Sequence, residues 1–265
     1  MNRIDKLFTE YRKQRKKALV LYVTAGDPNI QFTEELVNTI INAGADIIEI
    51  GVPFSDPMAD GPTIQAASER ALKNDISLSD ILDMVKRVRK SHPDIPLVLF
   101  SYFNPVLQYG IDKLAADSAE SGIDGWLIVD LGSAEEDEVI PSLSSHDLHK
   151  ITLLAPTSDS SRMKKLLKQA KGFVYYITVT GVTGVRTDLP QDLAEHLEEV
   201  ASYSDTPLVA GFGVSTPEMA CRVGEHTDGV VVGSKLVKTV AEAPDRQTAL
   251  TNAAELVENL AEAIH

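Results

Sequence analysis

The chain has 265 residues, an apolar content of 43% and a formal net charge of −14. This length fits either two domains or one α/β barrel, and the apolar content allows a large core. The acidic balance argues against nucleic acid or an anionic membrane as a partner, because both need a basic surface. A phosphorylated small molecule remains possible, since backbone amides bind phosphate without net positive charge.

Cysteine use and hydropathy point to a compartment. The single cysteine, Cys221, excludes an internal disulfide and suits a reducing cytosol. No apolar run approaches the ~20 residues of a membrane span. The run 18–23 is also too short for a signal peptide. The sequence therefore predicts a cytoplasmic protein that does not enter the membrane.

Short apolar runs alternate with segments of helical periodicity along the whole chain. A helix over residues 3–11 comes first. The strand-like runs are residues 19–23, 47–50, 97–100, 126–129, 151–154, 173–177, 207–209 and 229–232. Helical spacing is clearest over residues 32–43, 78–88, 111–121, 159–170, 193–200 and 247–264. This alternation predicts one α/β domain over residues 1–265, a (β/α)₈ TIM barrel whose N-terminal helix caps the barrel bottom. A doubly wound sheet competes, but it often carries a glycine fingerprint after its first strand, and residues 24–28 do not match one.

Two connections are longer than the usual ~2–6 residues of a βα loop. They cover residues 52–62 and 178–190, and both follow strands. Both are therefore expected at the C-terminal face, where barrel enzymes keep their active sites. Three prolines stiffen the first loop. The second is rich in glycine and threonine and predicts a mobile lid, with a disordered surface loop as the alternative.

Two carboxylates are candidates for acid/base chemistry. Glu49 lies inside an apolar strand run, where an isolated carboxylate costs several kcal/mol, roughly, unless it is paired or protonated. The stiff loop that follows can hold Asp60 opposite Glu49. The alternatives are a core glutamate with a buried partner and a turn-forming aspartate before Gly61. Tyr175 could reach Glu49 across the barrel, or could simply be an interior aromatic residue.

Glycine turns follow the last two strand runs. Residues 211–215 read Gly-Phe-Gly-Val-Ser, and Gly233-Ser234 follows the eighth run. Glycines let backbone amides approach an oxyanion, and loops after strands seven and eight often bind phosphate in barrels. Gly184 of the predicted lid could close over the same group.

Other chemistries lack the residues that they need. A Schiff-base aldolase needs a lysine near the C-terminal end of a strand, but Lys150 precedes its run. A metal site needs clustered ligands, and the six histidines are scattered over helix and loop segments, where we expect them at the surface. Cys221 has no histidine-supported motif. The sequence therefore favours metal-free acid/base chemistry on a phosphorylated substrate.

The chain resembles the tryptophan synthase alpha subunit family over nearly its whole length, from Leu21 to Ser234. The most specific motif is Glu49-Ile-Gly-Val-Pro-Phe-Ser-Asp-Pro-Met-Ala-Asp-Gly-Pro62. It is supported by Tyr102-Phe103-Asn104-Pro105, Gly181-Val182-Thr183-Gly184 and the turn at 211–215.

The resemblance implies a lyase of tryptophan biosynthesis that splits indole-3-glycerol phosphate into indole and glyceraldehyde 3-phosphate by a retro-aldol reaction. It also implies an alpha2-beta2 heterotetramer with a pyridoxal-phosphate beta subunit, to which indole is channelled, and no cofactor in the alpha chain itself. A stand-alone lyase and a catalytically silent scaffolding subunit are the alternatives. The intact Glu49 and Asp60 argue against the second of these.

The resemblance also assigns roles to residues. Glu49 would protonate the indole carbon at the breaking bond and assist the glyceryl hydroxyl, and Asp60 would hold the indole N–H. Thr183 would touch Asp60 in the closed lid, and Tyr175 would position Glu49. The phosphate contacts would be Gly184, Gly213, Gly233 and Ser234, and the indole pocket would be Tyr22, Phe100, Leu127 and Phe212. The chain departs from the family pattern at Thr178-Val179, at Gly132-Ser133 and at Phe100.

Overall fold

A computed structural model describes residues 1–155, 160–177, 191–211 and 213–265. Its strands are β1 (Ala18–Thr24), β2 (Ile47–Gly51), β3 (Leu97–Ser101), β4 (Gly125–Ile128), β5 (His149–Lys150), β6 (Thr152–Leu154), β7 (Val174–Ile177), β8 (Leu208–Gly211) and β9 (Gly229–Val232). They form one parallel sheet in the order β5-β4-β3-β2-β1-β9-β8-β7-β6. The strands at the two edges of the sheet, β5 and β6, are separated along the chain by Ile151 alone, so the sheet closes into a ring. Together β5 and β6 form one interrupted strand, to which the predicted run 151–154 belongs. The predicted (β/α)₈ barrel is confirmed, while the extent of the domain, residues 1–265, stays a prediction.

Helices surround this ring. They are α1 (Arg3–Gln14), α2 (Ile30–Asn42), α3 (Pro62–Leu72), α4 (Leu78–Ser91), α5 (Phe103–Tyr109), α6 (Ile111–Ser121), α7 (Ser133–Ser144), α8 (Ser160–Gln169), α9 (Gln191–Ser202), α10 (Pro217–Glu225), α11 (Ser234–Ala241) and α12 (Arg246–Ile264). The sequence-based ranges match α1, α2, α4, α6, α8, α9 and α12 to within about one turn. Within the described ranges, no helix is both long enough and apolar enough to cross a membrane.

Alternate residues of each strand point into the barrel, which follows from the period of two in an extended chain. In β2, Ile48 and Ile50 point outward and pack under the helices, whereas Ile47 points inward. The lower interior is filled by Ala18, Val20, Ile47, Val98, Leu127, Ile151, Phe173, Val209 and Val231. The N-terminal helix closes this end as predicted, because Ile4 and Phe8 of α1 are buried in the same cluster.

Three acids at this lower end, of which Asp46 and Asp124 are buried, are held by hydrogen bonds. Asp46, Asp124 and Asp228 directly precede β2, β4 and β9. Each accepts a backbone N–H from the neighbouring part of the sheet: Leu19 N at 2.7 Å, Leu97 N at 2.9 Å and Leu208 N at 2.9 Å, respectively. These bonds fix the first residues of adjacent strands to one another.

One histidine does not lie where the sequence indicated. His149 is only 8% exposed, and its Nε2 lies 2.9 Å from each carboxylate oxygen of Asp5. The expectation of a surface position is wrong for this residue because α1 covers the barrel bottom and brings Asp5 over the start of β5.

Candidate active site

Glu49 is the central residue of the site. β2 places it between Tyr22 of β1 and Val98 of β3, on the face of the strand that points into the barrel. It is completely buried, and neither carboxylate oxygen has a hydrogen-bond partner among the described residues. Burial raises the pKa of Glu49 to about 8, since the charged form loses its hydration. The carboxyl group therefore carries a proton at neutral pH.

Asp60 lies in the loop between β2 and α3. Its amide donates to Pro57 O at 3.0 Å, so the aspartate is part of a turn, as one alternative proposed. Its carboxylate is half-buried and accepts a hydrogen bond from Tyr102 Oη at 3.1 Å. Burial raises the pKa of Asp60, and the Tyr102 bond opposes that rise. Asp60 is therefore both a turn residue and a half-buried carboxylate that accepts a hydrogen bond.

Two interior phenols show that the carboxylates share one space. Tyr22 comes from β1 and Tyr175 from β7. Burial raises the pKa of both phenols, and the negative charges of Glu49 and Asp60 add to each rise. No hydrogen bond joins Tyr175 to Glu49 within the described part of the chain, so a role of Tyr175 in positioning Glu49 stays a prediction.

An apolar cluster adjoins the carboxylates. The rings of Tyr22 and Phe100 meet edge to face with centroids 5.1 Å apart. Leu127 is the register partner of Phe100 and is fully buried. Ile64 and Val237 pack on Tyr22 from the surrounding helices. Phe212, the remaining predicted pocket residue, lies outside the described residues.

Two glycines make room for the phenols. A Cβ atom at Gly51 would lie 2.1 Å from Tyr22 Oη, and one at Gly211 would lie 2.7 Å from Tyr175 Oη. No side chain larger than hydrogen fits at Gly51 while Tyr22 keeps its position. Gly51 was not a predicted site residue, although its parity with Glu49 places it on the same inner face of β2.

The predicted phosphate turns lie at the ends of β8 and β9. Gly213 has φ +65°, a left-handed conformation that favours glycine, and is exposed. Gly233 precedes α11, and no side chain caps that helix. The first hydrogen bond of α11 joins Val237 N–H to Gly233 O, so the amides of Ser234 and the next two residues lie before the first hydrogen bond of the helix. A Cβ at Gly233 would lie 3.3 Å from Tyr22 Cβ, which places this turn beside the apolar cluster around Tyr22.

Other predicted features fall elsewhere. Thr183 and Gly184, together with the rest of the loop 178–190, lie outside the described residues. Lys150 lies within β5 rather than before its strand, and its ammonium pairs with Glu136 on α7. No group of three or more His, Cys, Asp or Glu side chains is placed to hold a metal ion among the residues that the structure covers.

This combination defines a class of protein. A parallel barrel combines a buried glutamate with a raised pKa, a second carboxylate, an apolar cluster and glycine turns after its last two strands, an arrangement that barrel enzymes use. The fold and these residues are typical of a barrel enzyme that carries out acid/base chemistry on a small molecule.

Comparisons with known proteins give the family. The model of the tryptophan synthase alpha chain family matches residues 8–265. The tryptophan synthase alpha chain of Caldanaerobacter subterraneus subsp. tengcongensis is 46% identical over 264 residues, covering 100% of both chains. That of a Geobacter species, strain M21, is 50% identical and covers 90% of this chain and 89% of the relative. The chain belongs to the tryptophan synthase alpha chain family.

Solved structures agree with this family at the level of the whole barrel. Tryptophan synthase subunit alpha from Legionella pneumophila str. Paris matches with a TM-score of 0.92 at 39% identity, covering 100% of this chain and 98% of that chain. An aminoacrylate-bound tryptophan synthase from M. tuberculosis matches with a TM-score of 0.89 at 31% identity, covering 100% of both chains. The chain is thus a lyase of tryptophan biosynthesis that cleaves indole-3-glycerol phosphate.

Proposed function

We propose that Glu49 and Asp60 carry out this cleavage, the alpha reaction, with Glu49 as the acid/base and Asp60 as the anion that holds the indole N–H. The observation that carries the proposal is the state of Glu49: it is fully buried, has no hydrogen-bond partner among the described residues, and has a pKa of about 8. A protonated carboxyl on the inner face of a barrel strand is suited to deliver a proton inside a dry site.

In this reaction Glu49 is the one residue that transfers protons. Its neutral carboxyl gives a proton to the indole carbon that bears the glyceryl group, and positive charge develops on the ring nitrogen opposite Asp60. The carbon–carbon bond then breaks, and its electron pair restores the aromatic ring. The glyceryl hydroxyl becomes the aldehyde and returns its proton to the Glu49 carboxylate. An ionised Asp60 stabilises the developing charge most strongly in a low dielectric.

The rest of the site would bind the two ends of the substrate. Tyr22, Phe100 and Leu127 would enclose the indole ring, with Phe212 as a further contact. The phosphate would lie against the backbone at Gly213, Gly233 and Ser234, and Gly184 would close over it. Thr183 would reach Asp60, and Tyr175 would border Glu49. The clustering of Tyr22 with Phe100 and its proximity to Gly233 support this placement.

We also propose that the chain works as one domain of residues 1–265 in the cytoplasm, in an alpha2-beta2 complex with a beta subunit that holds pyridoxal phosphate, while this chain needs no cofactor. Indole would pass to that subunit. Membership of the alpha chain family and the similarity to a tryptophan synthase from M. tuberculosis support the partnership. Release of free indole by a stand-alone lyase is the competing arrangement.

An indole-release assay on indole-3-glycerol phosphate tests the proposal. Glu49→Gln and Asp60→Asn are each expected to lower the turnover by at least about 10²-fold, the usual share of a general acid or base, without unfolding the protein. Glu10→Gln is the matched control, because Glu10 is exposed on α1 and should leave turnover unchanged. Near-wild-type indole release by either site variant would remove that carboxylate from its role.

Adding a purified beta subunit separates the two arrangements. Strong activation would support the complex, and full activity of the chain alone would support the stand-alone lyase. Beta-subunit binding without any turnover would support a silent scaffolding subunit and contradict the proposed catalytic roles.

A further inference from the structure

Tyr102 contacts the catalytic loop at three points, although the sequence analysis gave it no role. Its hydroxyl donates to Asp60 Oδ2 at 3.1 Å and accepts the Ala59 N–H at 2.9 Å. Its ring lies 5.0 Å, centroid to centroid, from that of Phe54. Tyr102 itself is only 4% exposed, and both of its hydrogen bonds to the loop are partly buried. One side chain therefore holds both ends of the loop that presents Asp60.

The direction of these hydrogen bonds is fixed by their chemistry. A backbone N–H can only donate, so the Ala59 amide occupies a lone pair of the phenol oxygen. The single hydroxyl proton is then free to point at Asp60, whose carboxylate accepts it. A carboxylate that accepts a hydrogen bond is favoured in its ionised form. In agreement, the Tyr102 bond lowers the pKa of Asp60 while burial raises it.

Tyr102 itself is held by the barrel rather than by the loop. It directly follows β3 and precedes α5. The next amide, Phe103 N–H, donates to Asp130 Oδ1 at 2.7 Å, and Asp130 lies just after β4. The phenol is therefore anchored to two adjacent strand ends, and the loop lies against it.

We propose that Tyr102 is a positioning residue of the lyase reaction, whose hydroxyl holds Asp60 ionised and aimed at the place of the substrate's ring nitrogen. This inference rests on the proposed role of Asp60. It also predicts that the ring of Tyr102 and its hydroxyl have separate effects: the ring supports Phe54, and the hydroxyl acts on Asp60.

Other titratable groups face this pair. Tyr22 from β1 and Tyr175 from β7 feel the charge of Asp60, Glu49 lies among the same phenols, and Asp130 faces Tyr102. Among the side chains that the structure describes, Tyr102 is the one that lowers the pKa of Asp60 by a hydrogen bond. Because the pKa of Glu49 is about 8, Glu49 stays neutral over the acidic range in which Asp60 titrates.

The test is the pH profile of kcat/KM for indole-3-glycerol phosphate with Tyr102→Phe, which keeps the ring and removes the hydroxyl. The acid limb, where Asp60 becomes ionised, is expected to move up by about one pH unit, so that activity on that limb falls about tenfold and partly recovers as the pH rises. Tyr109→Phe is the matched control: it removes another tyrosine–aspartate hydrogen bond from α5, Tyr109 Oη to Asp117 Oδ2 at 2.6 Å, and should leave the profile unchanged.

Two further variants keep the inference open to refutation. In an Asp60→Asn background, Tyr102→Phe should lower kcat/KM little further, because the hydroxyl acts through Asp60. If Tyr102→Phe fails to fold, 3-fluorotyrosine at position 102, a stronger hydrogen-bond donor, should move the acid limb down instead of up.

The outcomes separate this inference from the proposed function. A wild-type chain without indole release, with or without a beta subunit, would overturn the lyase mechanism itself. An active wild type whose acid limb is unmoved by Tyr102→Phe, or a uniform loss at every pH, would overturn the positioning role alone.

Discussion

The two ends of the barrel bury the same kind of group in opposite ways. At the lower end, Asp124 is 2% exposed and accepts bonds from the Leu97 amide, Arg3 and Arg89. At the upper end, Glu49 is completely buried and has no hydrogen-bond partner within the described ranges. Burial raises the pKa of both groups, but at Asp124 the amide and the guanidiniums oppose the rise, whereas burial alone sets that of Glu49.

This difference separates structural acids from reactive ones. A buried carboxylate surrounded by donors stays ionised and ties elements together, and it has no capacity left for a substrate. A buried carboxyl without donors keeps its proton and can exchange it with a ligand. Partner count, rather than burial, distinguishes the two ends of this molecule.

Replacing Asp124 should lower the stability of the fold without changing the rate of the catalysed reaction. Asp124→Ala leaves Arg89, which is 12% exposed, without its carboxylate partner. Breaking such a buried pair costs about 3–5 kcal/mol, so the free energy of unfolding in urea should fall by about that amount. The kcat of the fraction that remains folded should not change.

Asp94→Ala is the control for that measurement, since Asp94 is 78% exposed and pairs with the exposed Lys6. Exposed pairs contribute about 0–1 kcal/mol, so this variant should unfold almost like the wild type. If the two variants lost equal amounts of unfolding free energy, a buried carboxylate with several donors would contribute no more than an exposed ion pair, which would contradict this account.

A smaller loss of stability is expected from adding a side chain at Gly51, at the upper end of the barrel. In Gly51→Ala, the new Cβ would lie 2.1 Å from Tyr22 Oη, so the phenol must move away from the pocket. We expect a loss of about 1–3 kcal/mol in the free energy of unfolding and a raised KM for indole-3-glycerol phosphate. Adding Tyr22→Phe, which removes the clashing oxygen, should restore part of the lost stability and bring KM part of the way back.

Gly61→Ala is the matched control, because a Cβ there meets nothing within 4 Å and the backbone is not in the left-handed region. A Gly51→Ala variant that behaves like Gly61→Ala would show that Tyr22 does not depend on the missing side chain at position 51.

Much of the fold follows from the sequence because parallel strands buried on both faces form apolar runs that are visible locally. The eight runs all correspond to strands of the barrel, and α6 covers the predicted range 111–121, with Gly122 in the left-handed conformation at its end. Five helices, α3, α5, α7, α10 and α11, were not predicted. Two of them, α5 and α11, have only 7 and 8 residues, and such short helices carry too little periodicity.

The site could be predicted only in part. Glu49 is recognisable because a charged residue interrupts an apolar run. Tyr102 was missed because its partner Asp60 is 42 positions away, and a tyrosine after a strand has no local signature. The same holds for His149, whose partner Asp5 is 144 positions away. Contacts across the barrel depend on the closed ring, and no local pattern contains them.

The most direct measurement of this account is the titration of Glu49 itself. The infrared carbonyl band of its protonated carboxyl can be isolated as the difference between the wild type and Glu49→Gln over a range of pH. A fully buried carboxyl should lose that band with a midpoint near pH 8, because burial raises its pKa to about 8. A midpoint near 4.5, the ordinary value for glutamate, would show that Glu49 is ionised at neutral pH and would contradict its role as the proton donor.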